Sequence, residues 1–316
     1  MAEAAGAVRF AHLSDPHLSD LAEVVRPRHL LGKRAFGFYS WLRRRRREHR
    51  REVLAALVAD LAPWRPQRVL VTGDLTHLGL PAEFAQVRAW LASLPFAAVS
   101  LVPGNHDSYA PEPWAATYAQ WAEWLGVEAP DGFPTLARLG RCAFVGLSTA
   151  HPSAPGLAVG TLGAAQLARL ERTLAALGAE GCFRVVLIHH PPFPGMEKWR
   201  KRLTDAAQLA AVVERVGAEL VLYGHSHRFC VARPALGSHA PVVVGAASAS
   251  ARGEHAEAAS YNRFALSEAE DGWRLELECR RWDASAGGFA TADRRVFTFP
   301  AGPQGSCAAI AASAST

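Results

Sequence analysis

Five short polar clusters in this chain carry residue types that bind cations. They are Asp15-Pro16-His17, Gly73-Asp74, Gly104-Asn105-His106-Asp107, His189-His190-Pro191 and Gly224-His225-Ser226-His227. Carboxylate, imidazole and amide oxygen suit divalent ions such as Mn, Fe or Zn, rather than copper or iron–sulfur clusters. Seven candidate ligands, Asp15, His17, Asp74, Asn105, His189, His225 and His227, exceed what one tetrahedral ion takes. They fit two ions that share one carboxylate. Ions held ~3.5–4 Å apart clamp both oxygens of an in-line phosphoryl displacement, and a bound cation lowers the pKa of water toward neutrality. The residue types therefore point to a site for two divalent ions, of the kind that serves phosphoryl displacement.

These clusters must be positioned by the elements before them. Val8–Leu13, Arg68–Thr72, Ala98–Val102, Ala143–Leu147, Arg184–Ile188 and Glu219–Tyr223 are short, nearly continuous apolar runs. Such runs predict strands buried on both faces. Five of the six end in one of the polar clusters. The carboxyl ends of strands in an open α/β sheet converge on one crevice, so the clusters are expected to meet. Gly73, Gly104 and Gly224 permit the tight turns this needs.

Helical spacing appears at Leu54, Leu57, Val58 and Leu61, and again at Phe84, Val87, Trp90 and Leu91. Leu162–Leu177 and Ala206–Val216 predict two more helices, and Pro81 suits a first helical turn. From residue 241 the pattern changes to strands without helices: Pro241–Gly245, Tyr261–Leu266, Trp273–Cys279 and Arg295–Phe299, with Asp271-Gly272 as a hairpin turn. The expectation is a single domain over 1–300, an α/β part followed by an antiparallel β part at 241–300, and a disordered tail at 301–316.

Half of the 316 residues are hydrophobic and 20% are charged, enough apolar content for a full core, which excludes global disorder. The net charge of +5 is unevenly spread. Between Arg26 and Arg51 eleven Lys and Arg face one acid, Glu48, so this stretch carries +10 and the rest of the chain −5. The basic stretch lies in a segment at 18–51 that also holds Leu30, Leu31, Phe36, Phe38, Tyr39, Trp41 and Leu42 before the run Arg43 to Arg47. Leu31, Ala35, Phe38 or Tyr39, and Leu42 approximate one helical face. Aromatics beside a basic run fit a membrane interface, which predicts peripheral contact through 26–51. A solvated helix whose arginines pair with the acidic remainder is the plainer alternative. Contact with nucleic acid is not expected, because no aromatic-rich nucleic-acid module is evident.

No apolar run approaches the ~18–20 residues of a spanning helix. Met1 to Val8 lacks the pattern of a secretory signal. Five scattered cysteines without a C-x-x-C pair argue against a disulfide framework or a cysteine zinc site. A cytoplasmic location is expected, with possible docking on the inner membrane face.

The order D-x-H, G-D, G-N-H-D, H-H-P, G-H-x-H, spread over residues 8 to 228, resembles the calcineurin-like metallophosphoesterases. It looks closest to their bacterial cyclic-nucleotide, glycerophospho- and phospholipid phosphodiesterases. The resemblance implies a four-layer α/β sandwich, two mixed sheets packed face to face with helices outside. It implies that Asp15, His17 and His227 hold the first of two divalent ions, that Asp74 bridges, and that Asn105, His189 and His225 hold the second. Mn is favoured, with Fe or Zn as alternatives. A hydroxide between the ions would be the nucleophile, His106 would protonate or stabilise the leaving oxygen, and Asp107 would orient His106. His189 is preferred over His190 because it matches the first position of the family's H-x-P pattern.

Other residues carry plainer readings. His12 lies inside a strand and reads as structural. His77 and His151 could approach the cleft, and His190 is left open. Trp114, Trp121 and Trp124 read as core packing rather than a base-stacking platform. The expected substrate is a small-molecule or lipid phosphodiester, preferably a phospholipid or glycerophosphodiester at a membrane surface. A soluble 3',5'-cyclic-nucleotide phosphodiesterase is the alternative, ahead of a nuclease or a non-catalytic metal-binding scaffold. The sequence leaves the oligomeric state open.

Overall fold

Twelve strands form among the residues described by the computed structural model, 6–254 and 256–300. They are β1 (Val8–Leu13), β2 (Arg68–Val71), β3 (Val99–Leu101), β4 (Thr135–Leu139), β5 (Cys142–Gly146), β6 (Phe183–Leu187), β7 (Leu220–Tyr223), β8 (Cys230–Ala232), β9 (Val242–Gly245), β10 (Ser260–Ala269), β11 (Gly272–Asp283) and β12 (Gly288–Pro300). The tail expected at 301–316 lies outside the described residues.

The strands make two six-stranded sheets, ordered β12-β11-β10-β1-β2-β3 and β4-β5-β6-β7-β9-β8. In the first, β1, β2 and β3 run parallel, and β10 pairs antiparallel with β1, placing Phe10 opposite Phe264. In the second, β5, β6, β7 and β9 run parallel, with β4 and β8 antiparallel at the edges. The C-terminal strands are therefore no separate β unit. β10, β11 and β12 widen the first sheet.

The near-continuous apolar strands have apolar partners on both faces. Between the sheets lie Phe10, Leu70, Phe144, Val185, Leu222, Val244, Phe264 and Leu277. Phe10 stacks on Phe264 at 5.0 Å and meets Phe144 edge-on at 5.2 Å. The helices Arg51–Leu61 and Pro81–Ser93 cover the first sheet through Leu54, Leu57, Leu61, Phe84, Val87 and Leu91. The helices Ala164–Ala179 and Ala206–Val216 cover the second through Leu167, Leu170, Leu174, Leu209, Val212 and Val213. The result is the expected sandwich of two sheets between two helical layers. Trp121 is buried against Phe84, rings 3.9 Å apart, so it belongs to the core.

Two strands escape sequence reading. β4 and β8 are edge strands with partly exposed, polar-interrupted patterns, which carry little periodic signal. The hairpin is displaced by one residue. Ala269 pairs with Gly272, so Glu270 and Asp271 form the turn and Gly272 opens β11 at φ 138°. The four cysteines among the described residues are free.

Asp60 ties the helix Arg51–Leu61 to the first sheet. It accepts from Arg280 at 2.7 and 2.9 Å, from Arg263 at 3.1 Å and from the Tyr261 hydroxyl. Burial raises its pKa, but these partners outweigh burial and hold the carboxyl below its ordinary value. Asp60→Ala is expected to cost about 1–3 kcal/mol at neutral pH, measured by urea unfolding. A depressed carboxyl stabilises above its unfolded pKa and loses that contribution as pH falls through its folded one. The gap between wild type and variant should therefore narrow below about pH 4.

Candidate metal centre

Parallel strands deliver the five clusters to one end of the two sheets. β1 leads into Asp15 and His17, β2 into Asp74, and β3 into Asn105. β6 leads into His189, and β7 into His225 and His227. The turns are sharp enough to force unusual backbone. Six non-glycine residues among those described have positive φ, and five are expected ligands: Asp15, His17, Asp74, His225 and His227. Asp and His tolerate this region better than most residues, yet each such residue stores about 1–3 kcal/mol. Hydrogen bonds between the turns hold it. Asp15 N–H donates to Gly73 O at 3.0 Å, His17 N–H to Asp74 O at 3.1 Å and His225 N–H to Asp15 Oδ2 at 3.0 Å. Two glycines are needed for close approach. A Cβ on Gly104 would strike Asp74 Oδ1, and one on Gly224 would strike Ser14 Oγ and Asp15 Oδ2.

The seven expected ligands come together in two groups around Asp74. Donor atoms of Asp15, His17, Asp74 and His227 all lie within 4.8 Å of one another, as do those of His189, His190 and His225. Asp74 Oδ2 stands 3.9 Å from His17 Nε2 and 3.4 Å from His189 Nε2, between the two groups. Asn105 Oδ1 approaches His189 Nε2 to 3.2 Å, and His225 Nδ1 lies 3.3 Å from the same nitrogen. His17 Nδ1 donates to Thr76 O at 2.9 Å, and His189 Nδ1 to Thr72 O at 2.7 Å, which turns both Nε2 atoms toward the cleft.

The donor set fits two divalent ions. Asp15 Oδ1 and His225 Nε2 are buried without a hydrogen-bond partner, an arrangement that is costly unless a cation completes it. His227 Nε2 is 3.1 Å from Asp15 Oδ1, but outside hydrogen-bonding geometry.

His190 lies in the second group without a free donor. Its Nδ1 meets the Thr149 hydroxyl at 2.7 Å and its Nε2 the Ala158 carbonyl at 3.2 Å, so both ring nitrogens are engaged and His189 remains the available ligand. His12 is structural, its Nε2 2.9 Å from Thr72 Oγ1. His151 bonds to the Pro152 carbonyl and to Thr161 rather than to any expected ligand.

Asp107 departs from the expected role. Its carboxylate does not meet the His106 ring. Instead Oδ2 accepts from Asp74 N and Gly104 N, both at 2.9 Å, and Oδ1 from Leu75 N at 3.0 Å and Thr76 N at 2.9 Å. It clamps the turn after β2 to the turn after β3. His106 is oriented by the His77 carbonyl, 2.7 Å from its Nδ1.

Sequence reasoning also missed two residues of the site. The His49 ring packs 4.5 Å from that of His17, its Nδ1 held by Ser250 Oγ at 3.0 Å. Arg45 Nη1 lies 2.9 Å from His106 Nε2. With Trp41, these residues recur every four positions, a spacing that was available in the sequence but masked by the surrounding arginines. His77 belongs here too. It stacks parallel to His17 at 5.2 Å, and its buried Nδ1 has no hydrogen-bond partner. His17, Trp41, His49, His77, Arg46 and Leu54 line a cavity of about 370 Å³ beside the first group.

The electrostatics differ from ligand to ligand. Burial first, then neighbouring imidazoles, hold His17 and His225 well below the ordinary imidazole value, so both are neutral. Burial would raise Asp15, but His227 and His189 outweigh it and keep the carboxyl at about 2. Burial would likewise depress His189, but Asp74 and Asp15 push it up to about 9. Burial and the Asp74 charge push Asp107 up to about 7 against its four backbone donors.

A family model for calcineurin-like phosphoesterases matches residues 8–229. A cAMP/cGMP dual specificity phosphodiesterase of Mycobacterium tuberculosis is 32% identical over 170 residues, covering 52% of this chain and 49% of that protein. A glycerophosphodiester phosphodiesterase of Enterobacter lignolyticus is 30% identical over 172 residues, covering 52% of this chain and 56% of that protein. The chain thus spans about half the length of the curated relatives it matches. Among solved structures, a dimetal phosphatase from Danio rerio superposes with a TM-score of 0.63 at 14% identity, over 92% of this chain and 98% of that one, a likeness of fold.

Asp107→Ala would strand four backbone N–H groups, and is expected to cost roughly 3–5 kcal/mol of stability and to weaken metal binding. Calorimetric unfolding with a metal titration checks this. A variant of native stability and metal affinity, altered only in its pH–rate profile, would restore the His106-orienting role.

Proposed function

Since the chain belongs to the calcineurin-like phosphoesterase family, we propose that it hydrolyses a phosphodiester at a two-metal centre, with a phospholipid or glycerophosphodiester at a membrane surface as its substrate. The observation that supports the reaction class is the placing of two donor groups on either side of Asp74. Divalent ions there, with Mn favoured, would supply an activated water and neutralise the charge on phosphate.

The protein's own groups do the rest. Asp15, His17 and His227 form one side of the cradle, Asn105, His189 and His225 the other, and Asp74 is shared. His106 donates through Nδ1 to the His77 carbonyl, which fixes the ring and directs Nε2 at the cleft, where Nε2, once it has taken up a proton, can pass it to the leaving oxygen. The adjoining cavity has room for the alcohol part of a diester.

The membrane part of the reading rests on the segment 18–51, an insert after the first cluster. Its helix Lys33–Ser40 buries Gly37, and Trp41 beyond it packs with Leu21, Leu78 and Leu80. The opposite side leaves Leu31, Phe36, Tyr39 and Leu42 exposed, four of the seven exposed large hydrophobics among the described residues. Arg43, Arg44, Arg46 and Arg47 are exposed beside them. Large apolar side chains with adjacent cations suit an anionic lipid surface. No helix among the described residues is long and apolar enough to cross a membrane.

A second reading, a 3',5'-cyclic-nucleotide phosphodiesterase, is favoured by the names of relatives such as the mycobacterial enzyme. A kinetic panel with Mn separates the two: phospholipid in anionic vesicles, a glycerophosphodiester, cyclic nucleotides and monoesters. Turnover is expected to need a divalent ion and to be fastest on the first two. Faster cyclic-nucleotide turnover would install the second reading. Vesicle flotation is expected to drop at least tenfold when Arg43, Arg44, Arg46 and Arg47 become Gln, at about 1 kcal/mol for each cation. Equal flotation would remove the membrane surface.

A further inference from the structure

The arginine run at 43–47 is sorted by the structure into four residues that face solvent and one that does not. The helix Lys33–Ser40 continues into a widened π turn, Trp41–Arg45, before the short helix Arg46–Glu48. Such turns recur at functional sites because they re-aim side chains. Buried Trp41 anchors one end among Leu21, Leu78 and Leu80. His49 N–H donates to Arg45 O at 2.8 Å, and the His49 ring is held by Ser250 at the other end. Trp41, Arg45 and His49 thus form an inward stripe, and the guanidinium between them points at the metal cradle.

We propose that Arg45 binds the scissile phosphate, its guanidinium donating to a non-bridging oxygen between His106 and the metal cradle. This inference rests on the phosphodiesterase reading above and concerns a residue contributed by the insert. Arg45 Nη1 lies 2.9 Å from His106 Nε2 and 3.1 Å from Nδ1, so it occupies the face of the ring that borders the cleft. Among the described residues no carboxylate forms an ion pair with it. Its attractive electrostatic partners at longer range include Asp74 and Asp15, the carboxylates of the cradle. A half-buried cation without an ionic partner, set in the cleft, is matched by an anion that enters it. A guanidinium is the side chain best shaped for phosphate, through charge-assisted and often bidentate hydrogen bonds. With His106 Nδ1 committed to the His77 carbonyl, the guanidinium over the ring face covers Nε2 until the substrate arrives. Binding of phosphate draws the guanidinium to its oxygens and frees Nε2 to face the leaving group.

The test uses the full chain loaded with Mn. Calorimetry gives the affinity for inorganic phosphate, steady-state kinetics on bis-p-nitrophenyl phosphate give kcat and KM, and elemental analysis gives metal content. Arg45→Gln is expected to weaken phosphate binding and lower kcat/KM by roughly 10- to 100-fold, with metal content unchanged. Arg45→Lys should recover part of the loss, because charge remains while the planar fork is gone. Arg172→Gln, at an exposed arginine on the helix Ala164–Ala179, should match wild type on this substrate. Unchanged phosphate affinity in Arg45→Gln overturns the inference, and so does loss of metal from that variant, which would make Arg45 a support of the cradle. If wild type itself neither binds phosphate nor turns over the diester, the phosphodiesterase reading fails instead.

Discussion

The carboxylate of Asp74 is the point on which the whole cleft converges. It lies between His17 and His189, 3.9 and 3.4 Å away, and its Oδ1 takes the His106 N–H at 2.7 Å. Holding one carboxylate against several imidazoles in a buried place requires rigid backbone. The fold supplies it through parallel strands that all stop at the same level, and through turns whose left-handed residues are the ligands themselves. The cost of those turns is met by the Asp107 clamp and by turn-to-turn hydrogen bonds. The helical layers and the core between the sheets serve mainly to keep these strand ends in register.

Much of this was legible in the sequence, for identifiable reasons. Continuous apolar runs ending in Asp, His or Gly marked β1, β2, β6 and β7, because strands covered on both faces have no polar alternation to blur them. The seven candidate ligands were named from residue types at strand ends, with His189 preferred over His190 by the resemblance. The edge strands β4 and β8 were not legible, since half-exposed edges lack a clean period. The pairing of β10 with β1 joins residues some 250 positions apart in a register such as Val8 with Leu266, which no local pattern encodes. Asp107 was misread for a similar reason. Its place beside His106 in the sequence suggested a pair, but its carboxylate turns toward the backbone of residues 74–76.

The insert shows how one charge run divides its work. Charge counting predicted a basic surface on residues 26–51, and the exposed Arg43, Arg44, Arg46 and Arg47 form part of it. The π turn and the Trp41 anchor then set Arg45 apart, a distinction carried by side-chain packing rather than by composition. The apolar side chains on the outer side and the cation on the inner side lie on the same short stretch. Surface attachment and phosphate capture would therefore share one element, which would bring a membrane-borne diester directly over the cradle.

The claim that most of this depends on is that Asp74 is shared by two divalent ions. Crystals of the Mn-loaded protein, measured for anomalous scattering at the Mn edge, test it directly. Two peaks ~3.5–4 Å apart are predicted, one near Asp15, His17 and His227, the other near Asn105, His189 and His225, both in contact with the Asp74 carboxylate. A single peak, or two peaks of which only one touches Asp74, would contradict it.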